Sequence, residues 1–188
     1  MFEAAPRNRK LFVGIDLDEE ARAKCAAVSH ALRLTSFDAR YEPPEKLHVT
    51  LAFLGFVEPR RCEELASTLR ATALAARRFA LTLDRLGAFP HERRPRVVFV
   101  GAREQGSAFR GIAQNVRSAY ANLGFAFKDD AVAHVTIARV KESKRPLPLV
   151  EFPPIRLAVG GLTLFESLPD PARKTSRYEV KVLVPLCP

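Results

Sequence analysis

The chain has 188 residues, 47% of them hydrophobic and 27% charged. Those proportions belong to a globular protein with a core of its own, and they exclude a disordered chain, a collagen-like repeat and a small disulfide scaffold. Thirty Lys and Arg against 21 Asp and Glu leave +9 with histidine neutral, 22 of the cations being Arg, which favours an anionic partner such as phosphate or nucleic acid.

In chain order, residues 10–16 (KLFVGID) predict a first strand. Residues 18–33 open with acids and carry Ala21, Cys25, Val28, Ala31 and Leu32 at helical spacing, a helix with carboxylates at its positive end. A strand over 37–41 ends at Pro43 and Pro44, and 47–54 (LHVTLAFL) is the next. Cys62, Leu65, Ala66, Leu69 and Ala73 mark the inner face of a helix over 60–78. Strands follow at 79–86 and 96–100, around a loop with Pro90, Arg93, Arg94 and Pro95. Ser107 is an N-cap candidate for a helix through Ile112, Val116 and Tyr120, which Gly124 stops. Strands at 133–140, 155–163 and 178–184 complete the set. Because 79–86 and 96–100 have no helix between them, a βαβα alternation fails. The fold class is α+β, with helices over mainly antiparallel sheet.

Cys25, Cys62 and Cys187 are odd in number, far apart and free of CxxC spacing, so they read as reduced thiols of a cytoplasmic protein. The apolar run after Arg7, Arg9 and Lys10 is cut by Asp16, Asp18, Glu19 and Glu20, unlike a signal peptide. No segment has the length of a membrane span. Nothing requires more than a monomer.

One short sequence occurs twice: His48-Val49-Thr50-Leu51-Ala52 and His134-Val135-Thr136-Ile137-Ala138, with the histidines 86 residues apart. A repeat near half the chain length, set each time in β-rich sequence, predicts two related lobes facing each other across a groove. In a strand, His and Thr two apart emerge on one face, while Val49 and Leu51, or Val135 and Ile137, turn inward. The groove then holds two imidazoles and two hydroxyls. Two histidines can serve as general acid and general base near neutral pH, and threonine hydroxyls can donate to phosphoryl oxygens. There is no Gly-rich phosphate loop and no carboxylate set for magnesium. The set suits attack of water on a phosphodiester without metal or other cofactor.

HVTL and HVTI resemble the paired HxTx motifs of the 2H phosphoesterase superfamily, and more closely the RNA 2′,3′-cyclic phosphodiesterase family, also called the 2′-5′ RNA ligase family. KLFVGIDL, PPEKLHVTLAFLG, LGAFP with RPRVVFVG, HVTIARVK, LTLFES and the final YEV are similar to that family in the same order, over nearly the whole chain. The resemblance implies one bilobal domain over 1–188, with a central groove and helices on the outer faces. It implies hydrolysis of 2′,3′-cyclic phosphate, on RNA ends or small cyclic nucleotides, to 2′-phosphate. By the same resemblance His48 donates a proton to the departing 3′ oxygen, His134 takes one from water, and Thr50 and Thr136 hold the non-bridging oxygens. It also implies the reverse reaction, 2′-5′ ligation. Lys128-Asp129-Asp130 before the second motif, with Phe99 and Tyr41 where the family often has tryptophan, are departures that bear on substrate preference.

The remaining candidates have plainer readings. His30 and His91 lack motif context and read as surface or packed residues. Strand alternation puts Arg139 on the face opposite His134 unless twist or a bulge intervenes; it is left outside the catalytic set, with structural and phosphate-supporting roles equally open. Arg93, Arg94 and Arg96 read by default as a solvated basic turn, the alternative being a loop that steers RNA by its charge, and Phe53 and Phe99 read as core ahead of platforms for a stacked base. A zinc site would need a third ligand beside His48 and His134, and none is repeated with them. A non-catalytic RNA-binding module using the basic surface is the alternative function.

Overall fold

Runs rich in Val, Ile, Leu and Phe, some alternating with polar residues (HVTL, HVTI) and some apolar throughout (LFVGI, VVFV), build one large sheet with a buried and an open face. The computed structural model describes residues 7–142 and 144–188. In chain order the elements are β1 (Arg9–Asp16), α1 (Glu19–Leu34), β2 (Arg40–Tyr41), β3 (His48–Val57), α2 (Cys62–Leu74), β4 (Phe79–Leu83), β5 (Arg85–Phe89), β6 (Val97–Gly101), α3 (Gly106–Ala121), β7 (His134–Arg139), β8 (Ile155–Val159), β9 (Gly161–Asp170) and β10 (Thr175–Pro185). Short 3₁₀ turns at Pro44–Lys46 and Pro59–Arg61 precede β3 and α2.

The large sheet runs β10-β9-β1-β3-β7-β6-β5, with β2 pairing onto β7, and β4 and β8 form a separate ribbon. Its pairings are antiparallel. The α+β expectation with two related lobes is met, since β1-α1-β3 in the first half and β6-α3-β7 in the second are equivalent units. In each, the strand before the helix pairs antiparallel with the motif strand after it. The helices cover one face. Val13, Ile15, Val49, Leu51, Val135, Ile137 and Leu164 from the sheet meet Cys25, Leu32, Leu65, Leu69, Phe109 and Val116 from the helices in one core. The helices also cross over: α1 packs behind β7 and α3 behind β3. At roughly 25 cal/mol per Å² of apolar area removed from water, this shared core is the main force holding the halves together.

Several boundaries differ from the sequence expectation. Residues 79–86 are two strands, broken at Asp84. Its N–H donates to the Gly101 carbonyl (2.9 Å) and its carboxylate accepts from the Arg103 N–H (2.8 Å), so the chain leaves the ribbon and enters the large sheet there. Residues 155–163 divide at Gly160 in the same way, between β8 and β9. The expected strand over 37–41 pairs only at Arg40 and Tyr41. The helix expected over 60–78 is α2, shorter at both ends: a 3₁₀ turn takes up its first residues, and beyond Leu74 the backbone of Ala76 and Arg78 bonds to Cys187 instead. Ser107 is not the cap of α3, which starts at Gly106 with Gln105 in the cap position. The Gln105 side chain instead accepts from the Ala133 N–H (2.6 Å), just before the second motif. Asp18 caps α1 by accepting from Ala21 N–H (2.8 Å), and Gly124, at φ +91°, ends the α3 region as expected.

Among the described residues no helix is long and apolar enough to cross a membrane. Cys25, Cys62 and Cys187 are free, and burial pushes the Cys25 thiol up to about 12.

Candidate active site

The two motif strands are neighbours at the middle of the sheet. They pair at Val49 and Val135 and splay apart from there. Carried one step either way, that antiparallel register sets His48 towards Thr136 and Thr50 towards His134. The four residues named from the sequence therefore meet on the face away from the helices, while Val49, Leu51, Val135 and Ile137 are fully buried behind them.

Both histidines are held in the same way. The His48 Nδ1 lies 2.7 Å from the Lys46 carbonyl, and the His134 Nδ1 lies 2.8 Å from the Val132 carbonyl. A carbonyl only accepts, so each Nδ1 is the protonated nitrogen and each Nε2 is left for chemistry. The Thr50 hydroxyl lies 3.0 Å from the His48 Nε2 and donates to it when that ring is neutral. Each ring also sits among aromatic rings: Phe12 (4.9 Å), Tyr178 (5.2 Å) and Phe165 (5.7 Å) around His48, and Phe89 (5.1 Å) and Phe99 (5.3 Å) around His134.

These surroundings disfavour charge on the imidazoles. Burial pushes His48 down to about 4, against the pull of the Lys46 carbonyl, and the nearby His134 adds to the shift. His134 is lowered mainly by burial and also by the charge of Arg139, against its bond to the Val132 carbonyl. An arriving phosphate anion reverses this balance, because a nearby negative charge favours the imidazolium. The site is thus set to take up a proton as substrate arrives.

Close backbone approach makes room for the first ring. A Cβ on Gly14 would lie 2.6 Å from the Val49 carbonyl oxygen and 3.6 Å from the His48 ring. At the equivalent place in the second half stands Phe99, opposite Thr136. It is 1% exposed, as expected of a core residue, and its ring lies over Gly87 and Gly101.

The structure decides two open readings here, each against the simple alternation, for one physical reason. Against β1, Val13 pairs with Ala52 and Gly14 with Thr50, so Leu51 is an extra residue. Against β6, Val98 pairs with Ala138 and Phe99 with Thr136, so Ile137 is extra. A bulge thus falls at the same place in both motifs, and a bulge re-aims the side chains beyond it. The residues after it, Phe53 and Arg139, turn outward to the face that carries the histidines. Phe53 is 68% exposed rather than in the core, and Arg139 is on the side of His134 rather than opposite it. The signal in the sequence was that both residues stand five places after a motif histidine.

Arg139 is aimed by a buried carboxylate that sequence reasoning missed. Its Nε donates to Glu42 (3.0 Å), which also pairs with the buried Lys46 (2.7 Å) and with Arg40 (3.6 Å). Burial alone would raise the Glu42 carboxyl, but Lys46 and Arg139 hold it below the usual carboxylate range. Three cations on one acid leave positive charge facing the groove. On the other side Arg117 of α3 donates to the Leu51 carbonyl (2.9 Å) and stacks over Phe127, tying the bulge of the first motif to the second half.

Two compartments flank Phe53. One of about 510 Å³ holds Thr50, Phe89, Arg117, Asp129, Asp130 and His134, so the acidic stretch before the second motif lines the groove. The other, about 430 Å³, is lined by Phe12, Arg40, Lys46, Arg139 and Tyr178. His30 and His91 are exposed and stand apart from both, His91 accepting a bond from Arg94 N–H (3.2 Å) in the basic turn. Among the described residues no three His, Cys, Asp or Glu side chains gather as metal ligands would.

The family described as LigT-like phosphoesterase matches the chain twice, over residues 15–99 and 100–173, each match holding one of the two motif strands. An RNA 2′,3′-cyclic phosphodiesterase of Thermotoga maritima is 28% identical over 166 residues, covering 86% of this chain and 88% of the relative. One of Archaeoglobus fulgidus is 35% identical over 132 residues, covering 70% and 73%. A crystal structure of E. coli LigT complexed with 3′-AMP superposes with a TM-score of 0.76 at 28% identity, covering 95% of this chain and 98% of that one. The doubled match falls on the doubled motif, and the chain belongs to the LigT-like phosphoesterase family.

Proposed function

We propose that the protein hydrolyses 2′,3′-cyclic phosphates, at RNA ends or on small nucleotides, to 2′-phosphates. The observation that carries this reading is the matched pair of His–Thr sets in one groove, each histidine pinned at Nδ1 by a carbonyl and the His48 Nε2 met by the Thr50 hydroxyl. His134 takes a proton from water as its oxygen bonds to phosphorus. The bond from phosphorus to O3′ breaks, and His48, protonated when the anionic substrate binds, gives its proton to O3′. His134 ends charged and His48 neutral, and exchange with solvent resets them. Once His48 is protonated, the Thr50 hydroxyl no longer has a lone pair to bond at Nε2 and turns to a non-bridging oxygen, with Thr136 on the other side. Positioned proton transfer of this kind typically contributes about 10²–10⁴-fold per group.

The same site can run in reverse as a 2′-5′ ligase, with hydrolysis dominant in water. The whole chain acts as one bilobal unit and as a monomer, and its unpaired cysteines suit the cytoplasm. The test is turnover of a nucleoside 2′,3′-cyclic phosphate in excess chelator, with the product resolved as 2′- or 3′-phosphate. The expected outcome is 2′-phosphate, lost by several decades in kcat in His48→Ala and His134→Ala. Full activity in His48→Ala overturns the mechanism. An absence of turnover on every cyclic end favours the RNA-binding module.

A further inference from the structure

Beyond Phe53, β3 presents a second phenylalanine to solvent. Phe56 is 73% exposed and Phe53 68%, on the strand that begins at His48. Phe56 pairs with Lys10 of β1, and opposite residues of an antiparallel pair share a face. Lys10 stands two places before Phe12, whose ring touches His48, so Lys10 and Phe56 lie on the groove face as well. The compartment beside them carries Lys10, Arg40, Lys46 and Arg139 against one acid, Glu42. On the far side of the histidines Asp129 and Asp130 offset Arg117 and Lys128, so that compartment has no surplus of positive charge.

Exposed rings alternating with cations are what unpaired bases and a phosphate backbone require. A strand ending in a cyclic phosphate continues only in its 5′ direction, so it needs one exit from the groove. The groove has one exit where cations outnumber acids and one where the two balance. We propose that Phe56 is a specificity-determining residue that makes the site prefer a single-stranded end at least three nucleotides long over a mononucleotide. The upstream bases of such a strand stack on Phe53 and then Phe56, and the strand's backbone runs past Arg40 and Lys10. This rests on the hydrolytic reading above and adds a selection for strand length to it.

The test compares kcat/KM for a nucleoside 2′,3′-cyclic phosphate and for a tetranucleotide with the same cyclic end. The tetranucleotide is expected to be preferred, and its advantage to shrink with salt, as phosphate contacts do. Phe56→Ala should reduce the tetranucleotide value by about 5- to 150-fold, the range found when a base loses its aromatic platform, and leave the mononucleotide within about twofold. Phe56→Trp should retain the advantage. Equal rates on both substrates, or equal loss on both in Phe56→Ala with an unchanged melting temperature, overturn the proposal. Anisotropy of a labelled tetranucleotide with a plain 3′ end separates the two readings. Phe56-dependent binding without turnover of any cyclic end leaves the RNA path standing and removes the hydrolytic reading. Turnover with no length preference does the reverse.

Discussion

Acidification is the sharpest perturbation of the groove, and its effect can be worked out from the His48 surroundings. In the unfolded chain this imidazole titrates near 6.5, whereas in the fold burial moves it to about 4. Above pH 6.5 it is neutral in both states and the fold has its full stability. As pH falls from 6.5 towards 4, the unfolded chain takes up a proton that the folded ring refuses, and stability declines. Each unit of displacement is worth about 1.4 kcal/mol, so the whole interval is worth about 3 kcal/mol, and about 2 after allowing for solvent at a half-buried ring. Urea unfolding of the native protein and of His48→Gln at pH 8 and pH 4 measures this directly. The native protein should lose about 2–3 kcal/mol more than the variant over that interval. NMR of the His48 ring proton should place its titration well below 6.5, and added inorganic phosphate should move it up. Because His134 is lowered as well, the kcat/KM profile should be a bell with its maximum on the acid side of 6.5. Equal pH losses in the native protein and His48→Gln, together with a free ring that titrates at 6.5 or above, would refute the reasoning.

Gly14→Ala should impair both packing and catalysis, since the added methyl would press on a backbone oxygen 2.6 Å away and crowd the His48 ring. Overpacking of this kind costs about 1–3 kcal/mol, visible as a lowered melting temperature together with a fall in kcat. Glu42→Ala should destabilise more strongly, by about 3–5 kcal/mol, because it leaves the buried Lys46 without its partner. A double variant, Glu42→Ala with Lys46→Met, should recover much of that loss by thermal melt, whereas the free Arg139 should still show as a raised KM for the cyclic phosphate.

Much of this could be read before the fold was known, because the informative features were local or duplicated. His48, Thr50, His134 and Thr136 stand at short fixed offsets, and two identical offsets half a chain apart imply two equivalent strands. What escaped notice depends on pairing between distant segments. Whether Arg139 faces the groove turns on one unpaired residue, Ile137, whose existence is decided by β6 rather than by the motif. The same holds for Phe53 and Leu51. The Glu42 clamp joins the residue just after β2 to β7 across 97 positions, and nothing near Glu42 announces it. Asp84 and Gly160 are poor strand formers, but each is a single step between two β-rich runs that read as one strand. Only the transfer of the chain from one sheet to the other shows that they divide it.

The crossing of the helices bears on how the molecule can come apart. The helix that follows β1 buries the back of β7, and the helix that follows β6 buries the back of β3. Each motif strand therefore owes its hydrophobic backing to the other half of the chain, and the Arg117 bond to the Leu51 carbonyl adds a polar tie in the same sense. Melting either half strips the support from the other, so the strands bearing His48 and His134 belong to one cooperative unit. Native-state hydrogen exchange at Val49 and Val135 should report the same opening event, and two similar sequence halves are locked into a single foldon.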